Sequence, residues 1–113
     1  QPAQAEQALR KAAALAPQDR VVRLNLALAL WQQGGVAEAR SALKELAGEY
    51  PDFASARYNL ACLEAQAGRP AEALAALKEA IALEDRYRSL ARKDPDLARL
   101  ANDPAFLAVV GQE

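Results

Sequence analysis

The sequence predicts an all-α chain of antiparallel helical hairpins, on three observations. The first is an internal repeat of 34 residues: Asn25-Leu26-Ala27 returns as Asn59-Leu60-Ala61, Gly34 as Gly68, Ala37-Glu38-Ala39 as Ala71-Glu72-Ala73, and Leu43-Lys44-Glu45 as Leu77-Lys78-Glu79. A period of that length holds two short helices and a turn, and such units stack because one alone cannot bury its apolar face. The second is composition: 52% of the residues are hydrophobic but only 5% aromatic, so alanine fills the difference and suits closely packed helices. No alternating β-branched run of useful length argues for a strand. The third is punctuation, with Gly34, Gly68, Pro17 and Pro51 standing where helices should end.

The elements follow in order. Residues 2–16 carry Ala5, Ala8, Leu9, Ala12 and Leu15 at helical spacing, and Pro17 stops that helix. The next runs over about 18–33, with Val22, Leu26, Ala27, Leu30 and Trp31 apolar and Asp19 as its N-cap. Gly34-Gly35 ends it. A third helix spans about 36–47 and closes at Gly48 and Pro51. Asp52 opens a fourth, which runs to Ala67 and ends at Gly68. Pro70 starts a fifth, to about Leu83, since the first helical position needs no N–H. The last thirty residues break the period. Asp94-Pro95-Asp96-Leu97 and Asp103-Pro104-Ala105-Phe106 each read as an Asp cap followed by Pro, starting short helices over 95–101 and 104–110. Leu97 with Leu100, and Phe106 with Val109 and Val110, give each an apolar face to cover the end of the array. The expected organisation is one domain over 1–113: a half repeat at 2–16, repeats at 18–50 and 52–84, and a helical cap at 85–113.

Composition excludes several functions. A net charge of −1 gives no general attraction to nucleic acid. No apolar run approaches the roughly 18–20 residues that span a bilayer. A soluble chain is expected, with the cytoplasm favoured over other compartments. A metal centre would draw on His or clustered Cys, but there is no His and one cysteine, Cys62. No phosphate-cradling loop follows Gly34-Gly35, and no nucleophile elbow is present. Paired carboxylates such as Asp94 and Asp96 are more often helix caps than acid–base pairs. The chain is expected to be non-catalytic and to need no cofactor. It lacks Met and opens in mid-repeat, so it reads as part of something longer.

These residues resemble the tetratricopeptide repeat, a 34-residue helical hairpin. With Arg20 and Ala54 as position 1, the small residue at position 8 is Ala27 and Ala61. Position 20, where the two helices touch most closely, is Ala39 and Ala73. Position 7 is Leu26 and Leu60, position 24 is Leu43 and Leu77, and the proline at position 32 is Pro51. The match covers residues 2–84. Position 4 departs from it, being Arg23 and Arg57 where a large apolar residue is usual. So does position 11, with Leu30 in one copy and Glu64 in the other. The tail is similar to D-P-D-L…D-P-x-F endings seen after bacterial repeats of this family. The resemblance implies a right-handed α-solenoid: two full repeats, a leading half repeat and a helical C-terminal cap.

The resemblance also implies binding of a peptide or protein segment in a concave groove lined by the first helix of each repeat. Carried over position by position, the groove residues are Val21, Leu24, Asn25, Leu28, Trp31 and Gln32 in the first copy. In the second they are Ser55, Tyr58, Asn59, Cys62, Ala65 and Gln66. Leu24, Leu28 and Trp31 form a stripe at i, i+4, i+7 spacing. Trp31 and Tyr58 are the expected anchors, since Trp and Tyr often dominate binding. The competing reading packs Leu24, Leu28 and Trp31 against neighbouring helices. Relatives that clamp a peptide carboxylate need Lys at position 5 and Asn at position 9; here these are Leu24 and Leu28, so that clamp is mostly absent. Arg86, Arg88, Arg92 and Lys93 form a basic cluster, read either as a lure for an acidic ligand or as a solvated face paired with Asp85, Asp94 and Asp96. Cys62 reads as a small apolar filler. The partner expected is an unidentified protein or peptide, neither nucleic acid nor membrane. The alternatives are self-association as a homo-oligomer through the uncovered face of the 2–16 helix, or service as a regulatory appendage of a larger enzyme.

Overall fold

The computed structural model describes residues 7, 10 and 19–111, and they contain no β-strand. The chain forms two compact units that divide between Pro51 and Asp52, where one repeat was expected to give way to the next. The first unit holds α1 (Arg20–Gln32) and α2 (Val36–Glu49). The second holds α3 (Ala54–Gln66), α4 (Pro70–Leu83), α5 (Arg86–Lys93), a 3-10 helix (Pro95–Leu100) and α6 (Pro104–Val110). The helix expected over 2–16 lies outside the described residues apart from Gln7 and Arg10, both helical.

In the first unit the Asp19 carboxylate accepts from Val21 N (3.0 Å) and Val22 N (3.1 Å), meeting two of the four amides that a helix start leaves unpaired. Gly34, at φ +90°, closes α1 by letting Gly35 N reach back to Leu30 O at 2.8 Å. A side chain resists that left-handed turn. The second unit repeats the device 34 residues later: Gly68 has φ +77° and Arg69 N donates to Glu64 O at 2.9 Å. The helices of each hairpin therefore run antiparallel. Ala27 and Ala39 are fully buried in the first, as are Ala61 and Ala73 in the second, with Leu43 and Leu77 beside them.

The two departures from the repeat pattern have physical reasons. Arg23 pairs with Glu49 across the first hairpin, and Arg57 with Glu79 (3.2 Å) across the second. Each arginine side chain is only 19% exposed, so its stem takes the place of an apolar residue while its head reaches a carboxylate at the rim. Glu64 is buried, and its carboxylate lies 3.8 Å from Arg69 Nε.

Four expectations need correction. Helix α2 does not close at Gly48; it continues to Glu49 and stops at Tyr50, whose position before Pro51 disfavours helix. Helix α3 begins at Ala54 rather than Asp52, because Asp52 lies in a turn in which its carbonyl accepts Ala54 N. Residues 95–100 form a 3-10 helix. Helix α5 falls in the stretch expected as a helical cap, but bounds were expected only for helices over 95–101 and 104–110; it buries Tyr87 and Ala91, four apart on one face. The short helices assemble around α3 and α4. Helices α5 and α6 pack on α4 and on each other, and the 3-10 helix packs on α3. Leu97, Leu100, Phe106 and Val110 are buried there.

Two substitutions test this packing by chemical denaturation. Ala39→Leu should overpack the first hairpin and lower stability by about 1–3 kcal/mol. Gly48→Ala should raise it by about 0.5–1 kcal/mol. Gly48 is helical and a Cβ there meets nothing within 4 Å.

Candidate functional site

The first helix of each hairpin was expected to carry the binding face, and the two copies of that face differ. On α1, Leu24 is buried at 9% exposure, Leu28 and Trp31 are partly exposed, and Asn25 and Gln32 are exposed. Val21 is 55% exposed, a large apolar side chain left in solvent. Val21, Leu24, Leu28 and Trp31 fall on one side of the helix, so the stripe is apolar and partly open.

On α3 the corresponding residues meet the chain's own C-terminal segment. Tyr58 is 8% exposed; its ring stacks on Tyr87 with centroids 4.6 Å apart, and its hydroxyl donates to Asp94 Oδ2 at 2.6 Å. Ser55 Oγ and Tyr87 OH share a 2.9 Å hydrogen bond. Cys62, 2% exposed, places its thiol 3.8 Å from the same Asp94 oxygen. Gln66 Nε2 donates to Asp96 Oδ1 (3.3 Å), and Arg99 Nη1 donates to Gln66 O (3.2 Å). Asn59 donates to Ser55 O at 2.8 Å, within its own helix. Ala65 is buried. The structure thus brings Ser55, Tyr58, Cys62 and Gln66 together beneath residues 87–99. Sequence reasoning missed Tyr87 and Asp94 as the groups that meet them.

Burial governs the electrostatics of this junction. It pushes both the Cys62 thiol and the Tyr58 phenol well above their ordinary range, and the neighbouring Asp94 carboxylate adds to both shifts. Asp96 is raised as well, by burial first and then by the charge of Asp94. Cys62, Asp94 and Asp96 bring three ligand-type atoms within 4.8 Å of one another. Asp94 already accepts from Tyr58 through one oxygen and from Asp96 N (2.9 Å) through the other. With the thiol held in its protonated form, this is a hydrogen-bonded junction.

The basic cluster is also engaged internally. Arg88 Nη1 donates to Val109 O (2.8 Å) and Arg92 Nη2 to Val110 O (2.6 Å), so two guanidinium groups satisfy the end carbonyls of α6. Arg88 also pairs with Asp85 (3.1 Å), and Arg86 with Glu84 (2.8 Å) and over the Tyr87 ring.

Helical hairpins joined by glycine turns, with small residues at each hairpin contact, define an α-helical repeat protein. A family model described as tetratricopeptide repeat matches residues 1–52 and again 24–98. The chain belongs to the tetratricopeptide repeat family. That match ends short of the Asp103-Pro104-Ala105-Phe106 segment. No curated protein matches the chain. Tetratricopeptide repeats mediate protein–protein interaction and are typically non-catalytic. Among the described residues no helix is long and apolar enough to cross a membrane.

The buried thiol and phenol set a pH dependence. Both groups hold their protons to higher pH when folded than when unfolded, where they titrate near 9.0 and 10.0. The unfolded chain therefore loses these protons first as pH rises, so the contribution of the two groups is present at neutral pH and is lost progressively as pH rises through about 9 and 10. Denaturation midpoints measured between about pH 8 and about pH 10.5 should fall, and Cys62→Ala should flatten the early part of that fall.

Proposed function

We propose that this chain is a protein-binding module whose working surface is the α1 face formed by Val21, Leu24, Asn25, Leu28, Trp31 and Gln32, and that it takes an apolar segment of a partner protein. The observation that carries the reading is Val21, more than half exposed, in line with the partly exposed Leu28 and Trp31. An apolar stripe of this kind gains by leaving water. Asn25 and Gln32 are exposed beside it and offer amide groups to a partner's main chain. The stripe carries no charge, and that favours an apolar segment over an acidic one. Trp31 is its largest member and the natural anchor. In the second copy, Ser55, Tyr58, Asn59, Cys62 and Gln66 belong to the same proposed class of surface, with their ligand positions filled from within the chain.

The test is capture of partners from lysate of the source cells by the wild type, by Trp31→Ala and by Val21→Glu, each first verified as folded by circular dichroism. Trp31→Ala should weaken a captured partner by about 2 kcal/mol, roughly 30-fold, and Val21→Glu by at least as much. A partner held equally by all three proteins would move the working surface away from α1. Sedimentation of the wild type decides the self-association alternative: a monomer at all concentrations excludes it.

A further inference from the structure

The two repeats are related by a shift of 34 residues, so their matching faces can be compared residue by residue. Val21 is 55% exposed, whereas Ser55 hydrogen-bonds to Tyr87. Leu28 is partly exposed, whereas Cys62 is buried next to Asp94. Gln32 is exposed, and Gln66 holds Asp96. Leu24 and Tyr58 are both buried and Gln32 and Gln66 both exposed, so the difference lies at Val21/Ser55 and Leu28/Cys62, where the first face is open and its copy meets the chain's own segment.

The covering piece has the form of a bound peptide. Residues 94–100 begin with an Asp-Pro turn, run as six residues of 3-10 helix, and contact α3 through side chains 30 or more positions away in sequence. Asp94 is the polar anchor, accepting from Tyr58 while its other oxygen caps its own turn. Leu97 is the apolar anchor, buried to 1% exposure. Three-residue hydrogen-bonding rings close less favourably than those of an α-helix, so a six-residue 3-10 segment has little stability of its own and depends on its docking. The receiving residues suit this occupant: a phenol, a thiol and an amide all donate toward the carboxylates of Asp94 and Asp96. The matching residues of the first repeat, Leu24, Leu28 and Gln32, include only one such donor.

We propose that α3 carries a second recognition face, selective for an Asp-Pro-Asp-Leu type turn, which residues 94–100 close in cis and a partner's turn of the same chemistry opens by replacing them. A tethered segment acts at an effective concentration of about millimolar, so the closed state dominates until a competitor exceeds it or the tether is weakened. This face is separate from α1, and Trp31→Ala leaves it intact.

The probe is a fluorescein-labelled peptide copying residues 93–102, followed by fluorescence anisotropy with the full chain. Asp94→Ala/Leu97→Ala, which weakens the tethered copy, should bind the peptide at least about tenfold more tightly than the wild type. A peptide with the same two substitutions should not bind. Equal binding by both proteins, or binding by neither, overturns the proposal. Native-state hydrogen exchange of the wild type provides a readout that does not depend on the variant folding. The amides of Leu97, Ala101 and Asp103, bonded to Asp94, Ala98 and Leu100, should exchange at least about 100-fold faster than those of Ala67 and Ala73 in the second hairpin. Exchange at one common rate would make 94–100 an inseparable part of the core and overturn the proposal.

Discussion

The close approach of two helices at an alanine is the constraint on which the structure rests. Ala27 and Ala39 in the first hairpin, and Ala61 and Ala73 in the second, are at most 1% exposed. A methyl group is the largest side chain these contacts accept, and with it the backbones come near enough for Leu43 and Leu77 to fill the remaining space. Everything else in each hairpin adjusts to that distance. The glycine turns set the reversal between helices, and the arginines at the fourth position pack their stems into the hairpin, with their heads on glutamates of the second helix.

Much of this was legible in the sequence, because the repeat states each requirement twice. A small residue at matching positions, a glycine at matching turns and a leucine at matching core sites leave one geometry that satisfies both copies. The ends of elements were less legible. Gly48 looked like a stop, but glycine ends a helix only when the chain turns left-handed there, and at Gly48 it does not. The stop comes from the proline two positions beyond Glu49.

The candidate site was legible by half. Position within the repeat indicated which residues line a face; it did not indicate what covers that face. Tyr58 reads as an exposed anchor when the repeat is considered alone, and it is buried because Tyr87 stacks on it and Asp94 accepts the hydrogen bond that its hydroxyl donates. Those two residues lie past the end of the periodic region, where no second copy exists to compare. The basic cluster was ambiguous for a similar reason. The carbonyls that Arg88 and Arg92 satisfy belong to α6, some twenty residues downstream, and their need for donors is a property of the helix end rather than of any side chain in the sequence.

The contacts between α3 and the C-terminal segment have a consequence for how such a chain lengthens. The two hairpins match at a 34-residue shift, which on its own would make one copy interchangeable with the other. Here the copies are not equivalent. The face that receives Asp94 and Asp96 needs Tyr58, Cys62 and Gln66, and the first copy has Leu24 and Leu28 in place of the first two. A duplicate of the first hairpin inserted after the second would set a leucine pair against Asp94 and remove the phenol and thiol that face it, leaving Asp94 only the bond from Asp96 N. The hairpin of α3 and α4 is thus the one suited to stand against residues 94–100, and a copy of the first hairpin could not take its place there.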